Sequence, residues 1–247
     1  MIPKHGRNPR IDAGRARGGA LGEREARARV QGTLMNEPRG GEYATVIAAE
    51  LDTQRAYKLI LGCVVPRPIA WITSISAEGR VNAAPFSSYN YVSHSPPMLA
   101  VNIGLRAGKL KDTARNILET REFVVNVATE AARQPMHDSA CDFAPEESEP
   151  EALGIALVPS RFVKPPRIAL SPVHMECRLD QAVRLGTGNN TLYIGEVIAF
   201  HLSPEVFDGE VVDGAKLRPL ARLGGPYYTT LGTIIRAPIL AMPPGRR

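Results

Sequence analysis

The sequence predicts a mainly β protein, an antiparallel barrel or sandwich with a few short helices. Strand-like runs rich in β-branched residues recur along the chain, and few helical stripes separate them. The strand–helix–strand alternation of a parallel dinucleotide-binding sheet is absent.

The elements follow in order from about Thr45. Asp52 and Thr53 suit the cap of a short helix through Ile60, with Gly62 as its stop. "RPIAWITSIS" (67–76) reads as a strand, "EGR" (78–80) as a turn and "VNAAPFSSYNYVS" (81–93) as the second arm of a hairpin. A third strand, "MLAVNIG" (98–104), follows Pro96 and Pro97. Asp112 or Thr113 is placed to cap a helix whose apolar stripe is Ala114, Ile117 and Leu118, running to Thr120. "FVVNVA" (123–128) returns to strand. Residues 129–170, with an acidic stretch at 141–151, read as a helix or two and a crossing loop over one face. Two long strands, 173–185 and 191–202, are joined by "GTGNN", and "RLGGPYYTTL" (222–231) is the last expected ordered segment. Six strands result.

Length and composition describe one large domain or two small ones. Of 247 residues, 44% are hydrophobic and 22% charged, an ordinary globular balance. The chain has 30 basic and 25 acidic residues, but nine of the basic and only four of the acidic ones fall in residues 1–40, leaving 21 of each beyond. The net charge of +5 thus belongs to a Gly- and Arg-rich head, and the body is neutral. That head has few apolar residues and no period, so residues 1–44 are expected to be a disordered basic extension, 45–240 the folded domain and 241–247 a flexible tail. An overlong start with Met35 as initiator is favoured over a nucleic-acid or membrane arm or a targeting peptide. No run is long enough to span a membrane and no signal core follows Met1. The cysteines, Cys63, Cys141 and Cys177, are odd in number and form no CxxC, which points to reducing cytoplasm.

The usual nucleotide and hydrolase motifs are missing. There is no GxGxxG, HExxH or GxSxG, and "GEVVDGAK" (209–216) is followed by Leu217 where a P-loop needs Ser or Thr. His174 and Cys177 would face opposite sides of a strand, and His137 with Cys141 supplies only two ligands, so no metal is expected.

Two segments carry chemistry instead. "NAAPFSSYN" (82–90) sets hydrogen-bonding and small residues around Phe86 and Tyr89, the profile of backbone that meets something flat with a polar edge. Arg106, Lys109 and Lys111 crowd the loop before the helix that opens at Asp112 and Thr113. Free N–H groups and the positive end of a helix dipole suit a phosphate there. The alternative is an ordinary solvated loop. One ligand with a phosphate at one end and a hydrogen-bonding ring system at the other fits both segments, and flavin mononucleotide (FMN) has that shape.

Five motifs in register, "VVPRPIAWITSIS", "GRVNAAPFSSYNYVSHSPPMLAVNIG", "KDTARNILETREFVVNV", "LGTGNNTLYIGEVIAFHL" and "RLGGPYY", resemble the flavin reductase-like family. The match runs from about Tyr57 to Tyr228. The resemblance implies a six-stranded antiparallel split β-barrel of the FMN-binding type, a homodimer, and FMN near the dimer interface. It implies hydride transfer from NADH or NADPH to flavin, with electrons passed to free flavin, oxygen, iron or a partner such as a monooxygenase. An FMN electron carrier with no nicotinamide reaction is the alternative. No nucleic-acid or membrane partner is implied, and no side chain serves as a general acid or base.

By position, the resemblance puts Thr73 and Ser74 along the ribityl or phosphate side. It puts Asn82 and Pro85, Phe86, Ser87 and Ser88 around the isoalloxazine, largely through backbone. Arg106, Lys109, Lys111 and Thr113 would hold the phosphate, with Asp112 fixing the turn. Arg222 and Tyr227 border the site in relatives, or else serve the dimer interface. Members that reduce diffusible flavin for a partner often carry a histidine just before the "IGEV" strand; this chain has Asn189, Asn190 and Thr191.

Overall fold

The computed structural model describes residues 43–144, 146–187 and 189–238. The expected basic extension, up to residue 42, and the expected tail at 241–247 lie outside the described residues. Residues 43–50 belong to a small separate unit, closed by one 3-10 turn, Ala48–Glu50. The second unit begins at Leu51 and holds all the strands.

Helix α1 (Thr53–Cys63) starts where the sequence places it: the Asp52 carboxylate accepts the Arg55 N–H at 2.8 Å. It does not stop at Gly62. A glycine ends a helix by taking a left-handed conformation, and Gly62 does not take one, so the helix runs on to Cys63.

The strands that follow are β1 (Arg67–Pro68), β2 (Ala70–Ile75), β3 (Val81–Phe86), β4 (Tyr89–His94) and β5 (Pro97–Gly104). Helix α2 (Asp112–Thr120) and β6 (Glu122–Val127) come next, then short helices α3 (Arg133–Asp138) and α4 (Glu149–Ala152). A two-residue ladder, β7 (Leu157–Val158) with β8 (Arg167–Ile168), precedes the long pair β9 (Val173–Leu185) and β10 (Asn190–Leu202). Helix α5 (Gly214–Leu217), β11 (Ala221–Gly224) and β12 (Tyr227–Thr229) complete the described chain. The sequence reading anticipates neither α5 nor the β7–β8 ladder, each too short for a period to register.

The main sheet has the order β3-β2-β6-β9-β10-β5-β4, and all its pairs are antiparallel. The run read as one strand at 81–93 is in fact two. It pairs with β2 as far as Phe86↔Ala70, bends at Ser87 and Ser88, and resumes against β5 at Tyr89↔Val101. Because β3 and β4 are the two ends of the strand order and one continuous piece of chain, the sheet closes on itself. Counting that bent run once recovers the six expected strands.

Ile72, Phe86, Leu99, Val101, Phe123, Val125, Cys177, Tyr193 and Val197 form one apolar cluster with Ala114 and Ile117 of α2, and half-buried Tyr89 of β4 packs against it. The third member of the helix stripe, Leu118, is exposed. A second cluster lies on the outer face of β2 and β3, where Trp71 and Ala83 meet Met136 of α3, Ile155 and Ile168. The 129–170 segment is therefore the cover expected for one face. It buries β2 on both sides, which is why that strand does not alternate.

Buried polar groups tie the cover to the sheet. Asn126 donates to Trp71 O (2.9 Å) and accepts from Ile168 N–H (2.9 Å) and His174 Nδ1 (2.9 Å). The fully buried Glu176 carboxylate accepts the N–H groups of Arg161 and Phe162, both at 2.7 Å, and meets His201 Nε2 at 2.6 Å. Burial alone would raise the Glu176 pKa; the two N–H groups and His201 outweigh it and lower it. His174 is held down to about 4, mainly by burial, with Arg167 and His201 adding and Glu176 opposing.

The unfolded chain therefore binds a proton at His174 that the folded chain refuses between about pH 6.5 and about 4. Stability is expected to fall as pH drops through that window. Thermal midpoints at pH 7.0 and 5.0 should differ, and His174→Gln should flatten the difference. An unchanged slope in the variant would assign the effect to another group.

Candidate functional site

The basic loop and the start of α2 form one end of the site. Arg106 and Lys109 exchange N–H···O bonds of 2.9 Å in both directions across Ala107 and Gly108, which both have positive φ. That two-residue turn reverses the chain and carries Lys109 away from the pocket wall; Lys109 is exposed. Its expected phosphate role is not supported by this placement. Arg106, Lys111, Asp112 and Thr113 do line the pocket, together with Asn82, Pro85, Phe86 and Glu149.

Helix α2 is not capped by Asp112 or Thr113. Lys111 takes the cap position with no side-chain hydrogen bond, and the Asp112 carboxylate turns to Arg115 instead. No side chain thus caps the first-turn N–H groups of a nine-residue helix, beside an ammonium group. Thr113 is buried, and its hydroxyl meets the Asn82 amide at 2.8 Å. With its nitrogen toward Glu149 Oε1 (3.0 Å), Asn82 accepts from Thr113 and bridges β3 to both helices.

Of the charged residues on this wall, Arg106 and Asp112 are ion-paired, and Lys111 and Glu149 are in no ion pair among the described residues. Arg106 binds Asp142 at 2.8 Å and Arg115 binds Asp112. Half-buried Lys111 lies with Nζ 5.8 Å from the centre of the Phe86 ring, and burial, then Arg106, lowers its pKa. Burial raises the Glu149 pKa and Asp112 adds to it, although Ala83 donates its N–H to the carboxylate at 3.1 Å.

Thr73 and Ser74 are not on the wall. Both are fully buried: the Thr73 hydroxyl donates to Pro166 O, and Ser74 Oγ accepts from Asn116 of α2 at 3.1 Å. Ser74 supports the helix that forms the pocket, one layer behind it. Their place in an inward-facing, doubly covered strand decides this, and no local pattern reports it.

A larger cleft of about 860 Å³ adjoins the pocket, sharing Pro85, Phe86, Lys111 and Ala140 with it. Ligand sites commonly measure about 300–1,000 Å³. Its walls are the Ser87–Ser88 bend, the end of β5 with Asn102 and Gly104, the β9–β10 turn at Asn189 and Asn190, the apolar side of α1, and Arg67 and Arg222. The bend explains the unusual composition of 82–90. Ser87 and Ser88 stand outside both flanking ladders; Ser88 O accepts the Asn102 N–H at 2.8 Å, and the other backbone groups of the bend face no ladder partner. Tyr227 is exposed and not on this wall; the ring that meets Arg222 is Tyr228.

Asn102 is the residue the sequence reading passes over. Its Oδ1 is buried with no hydrogen-bond partner among the described residues, on the wall of the cleft. A polar residue inside the apolar run "MLAVNIG" was the available signal. An orphaned acceptor beside the exposed bend suits the N–H edge of a ring, and Lys111 with the start of α2 in the next pocket suits a phosphate. The residues present therefore fit FMN.

A domain model described as flavin reductase-like matches residues 61–226. The chain belongs to the flavin reductase-like family. YwrF of Bacillus subtilis (strain 168), an uncharacterized protein, is 40% identical over 198 residues, covering 76% of this chain and 97% of YwrF. An uncharacterized protein of Aquifex aeolicus (strain VF5) is 40% identical over 184 residues, covering 74% of this chain and 93% of its own.

Solved structures of the family share the architecture. Component B of nitrilotriacetate monooxygenase from Bacillus cereus is 32% identical with a TM-score of 0.78, over 80% of this chain and 100% of that one. The 2-nitrobenzoate 2-nitroreductase NbaA of Pseudomonas fluorescens is 34% identical with a TM-score of 0.74, over 82% and 99%. A split-barrel protein of Shewanella frigidimarina, 20% identical with a TM-score of 0.70, shares the fold. The closed sheet of this family member is that split barrel. No helix among the described residues is long and apolar enough to cross a membrane.

Proposed function

We propose that this protein is an FMN-dependent oxidoreductase that takes hydride from NADH or NADPH and passes electrons to an acceptor. The observation that carries the reading is the pair of adjoining cavities, one at the start of α2 beside Lys111, one broad with the Ser87–Ser88 bend on its wall, joined through Phe86 and Lys111. FMN, when bound, supplies the carrier for two electrons, so the protein needs no acid or base of its own. Its residues bind and orient. Lys111, Arg106 and the α2 amide groups hold the phosphate; the backbone of Pro85 to Ser88 and the Asn102 side chain address the ring edge; the α1 side chains exclude water.

The same reading includes a homodimer in the cytoplasm and, as acceptor, free flavin, a partner monooxygenase or another oxidant. Exposed apolar side chains such as Tyr57, Tyr91 and Phe200 give a second copy surface to cover, and the unpaired thiols Cys63, Cys141 and Cys177 suit a reducing compartment.

The deciding measurement is an anaerobic absorbance spectrum with FMN, then with NADH and, separately, NADPH. Bound flavin bands that bleach with a nicotinamide donor are expected. Bleaching with dithionite alone would make the protein an electron carrier, and failure to bind FMN would overturn the reading.

A further inference from the structure

We propose that the second reactant at this site carries an oxyanion, a carboxylate or a phosphate, and that Arg222 recognises it. The inference rests on the flavin reading and names the substrate class of the same site.

The charge inventory of the larger cleft is one-sided. Its described lining includes Arg67, Lys111 and Arg222 and no Asp or Glu. Lys111 belongs to the wall shared with the phosphate pocket, so one anion there answers one cation. Two arginines remain.

Arg67 is structural. Its guanidinium donates to Leu61 O (2.7 Å), Val64 O and Leu223 O (3.1 Å), fastening the end of α1 to β11. It is buried, meets no carboxylate among the described residues, and leaves Nε without a partner. Arg222 stands directly opposite it across the β1–β11 ladder. Like charges facing each other across a ladder are unfavourable, so this end of the cleft is held at positive potential.

Arg222 is oriented but not neutralised. Its guanidinium lies 4.6 Å from the centre of the Tyr228 ring and donates to the Tyr228 hydroxyl. An arginine only donates, so the Tyr228 proton is directed to His137 Nδ1, 2.7 Å away. The tyrosine thereby fixes the guanidinium without offering charge. Arg106, Arg115 and Arg218 are each paired with a carboxylate; Arg222 has none among the described residues. A stacked, pre-oriented guanidinium with spare donors matches the two-oxygen edge of a carboxylate or phosphate.

The two sources of that anion are separable on FMN-loaded protein. Flavin uptake is measured first; failure there overturns the functional reading by itself. With flavin loaded, benzoate is compared with benzamide by perturbation of the visible spectrum. Reduced nicotinamide mononucleotide is compared with reduced nicotinamide riboside by rate of flavin bleaching. We expect the anionic member of at least one pair to be favoured, and Arg222→Met to remove about ten- to a hundredfold of that preference while leaving the neutral member unchanged. A benzoate effect assigns a carboxylate acceptor, a mononucleotide effect a nicotinamide phosphate. Should Arg222→Met not fold, Arg222→Gln is measured in its place, with the same loss expected. No preference in either pair, or a preference that Arg222→Met or Arg222→Lys leaves intact, overturns the proposal.

Discussion

Gly195→Ala is expected to lower stability by about 3 kcal/mol, at the upper end of overpacking costs. A Cβ at this position would lie 2.5 Å from Phe123 Cζ and 2.7 Å from Cε1. The ring cannot move away, because Phe123 is fully buried among the interior side chains. Nor can the backbone retreat, since Gly195 is paired to Leu99 on one side and Leu179 on the other. For a domain of this size the melting temperature should fall by about 6–12 °C. Shortening the ring relieves the clash, so Phe123→Leu should be less harmful in the Gly195→Ala background than in the native one. A melting temperature unaffected by Gly195→Ala, or strictly additive costs in the double variant, would refute this account of the "IGEV" glycine.

Lys111→Met should weaken FMN binding by about ten- to a hundredfold and leave riboflavin binding unchanged. Methionine keeps an apolar stem against Phe86 while removing the charge, so the difference isolates the phosphate. Glu149→Gln should act in the opposite direction. Burial, and then Asp112, already raises the Glu149 pKa, and a phosphate nearby raises it further. Binding then takes up a proton, so FMN affinity should fall as pH rises through that shifted pKa. Glutamine cannot titrate; it should bind FMN more tightly at neutral pH, with a shallower pH dependence. Isothermal titration of both flavins across pH tests each variant. Equal losses for FMN and riboflavin in Lys111→Met would remove the phosphate from this pocket.

Much of the site was legible because it rests on local chemistry. The small residues from Ala83 to Ser88 read as uncovered backbone from composition; Ala83 to Pro85 are instead paired with β2, and only the Ser87–Ser88 bend stands outside the ladders. The pocket wall at Arg106 and Lys111 is legible because basic residues precede a helix start. What misled was the step from residue type to side-chain direction. Asp112 has the chemistry of a cap, yet Arg115 three residues on competes for it. Lys109 has the charge of a phosphate ligand, yet the tight turn at Ala107–Gly108 carries it outward. Thr73 and Ser74 lie on a strand covered on both faces, which only the placement of the 129–170 segment decides.

The sequence by itself determined the class of fold, the main strands, the two site-forming segments and the confinement of net charge to the head. Each is written in local periodicity, turn chemistry or composition, and neighbours in the chain suffice to express it. Tertiary structure alone decided that one run serves both ends of the sheet and that Asn102 Oδ1 has no hydrogen-bond partner among the described residues. It also placed Arg67 and Arg222, 155 residues apart, face to face in a cleft whose described lining holds no acid. Those features depend on which distant residues share a wall, and burial and charge compensation are properties of that assembled wall.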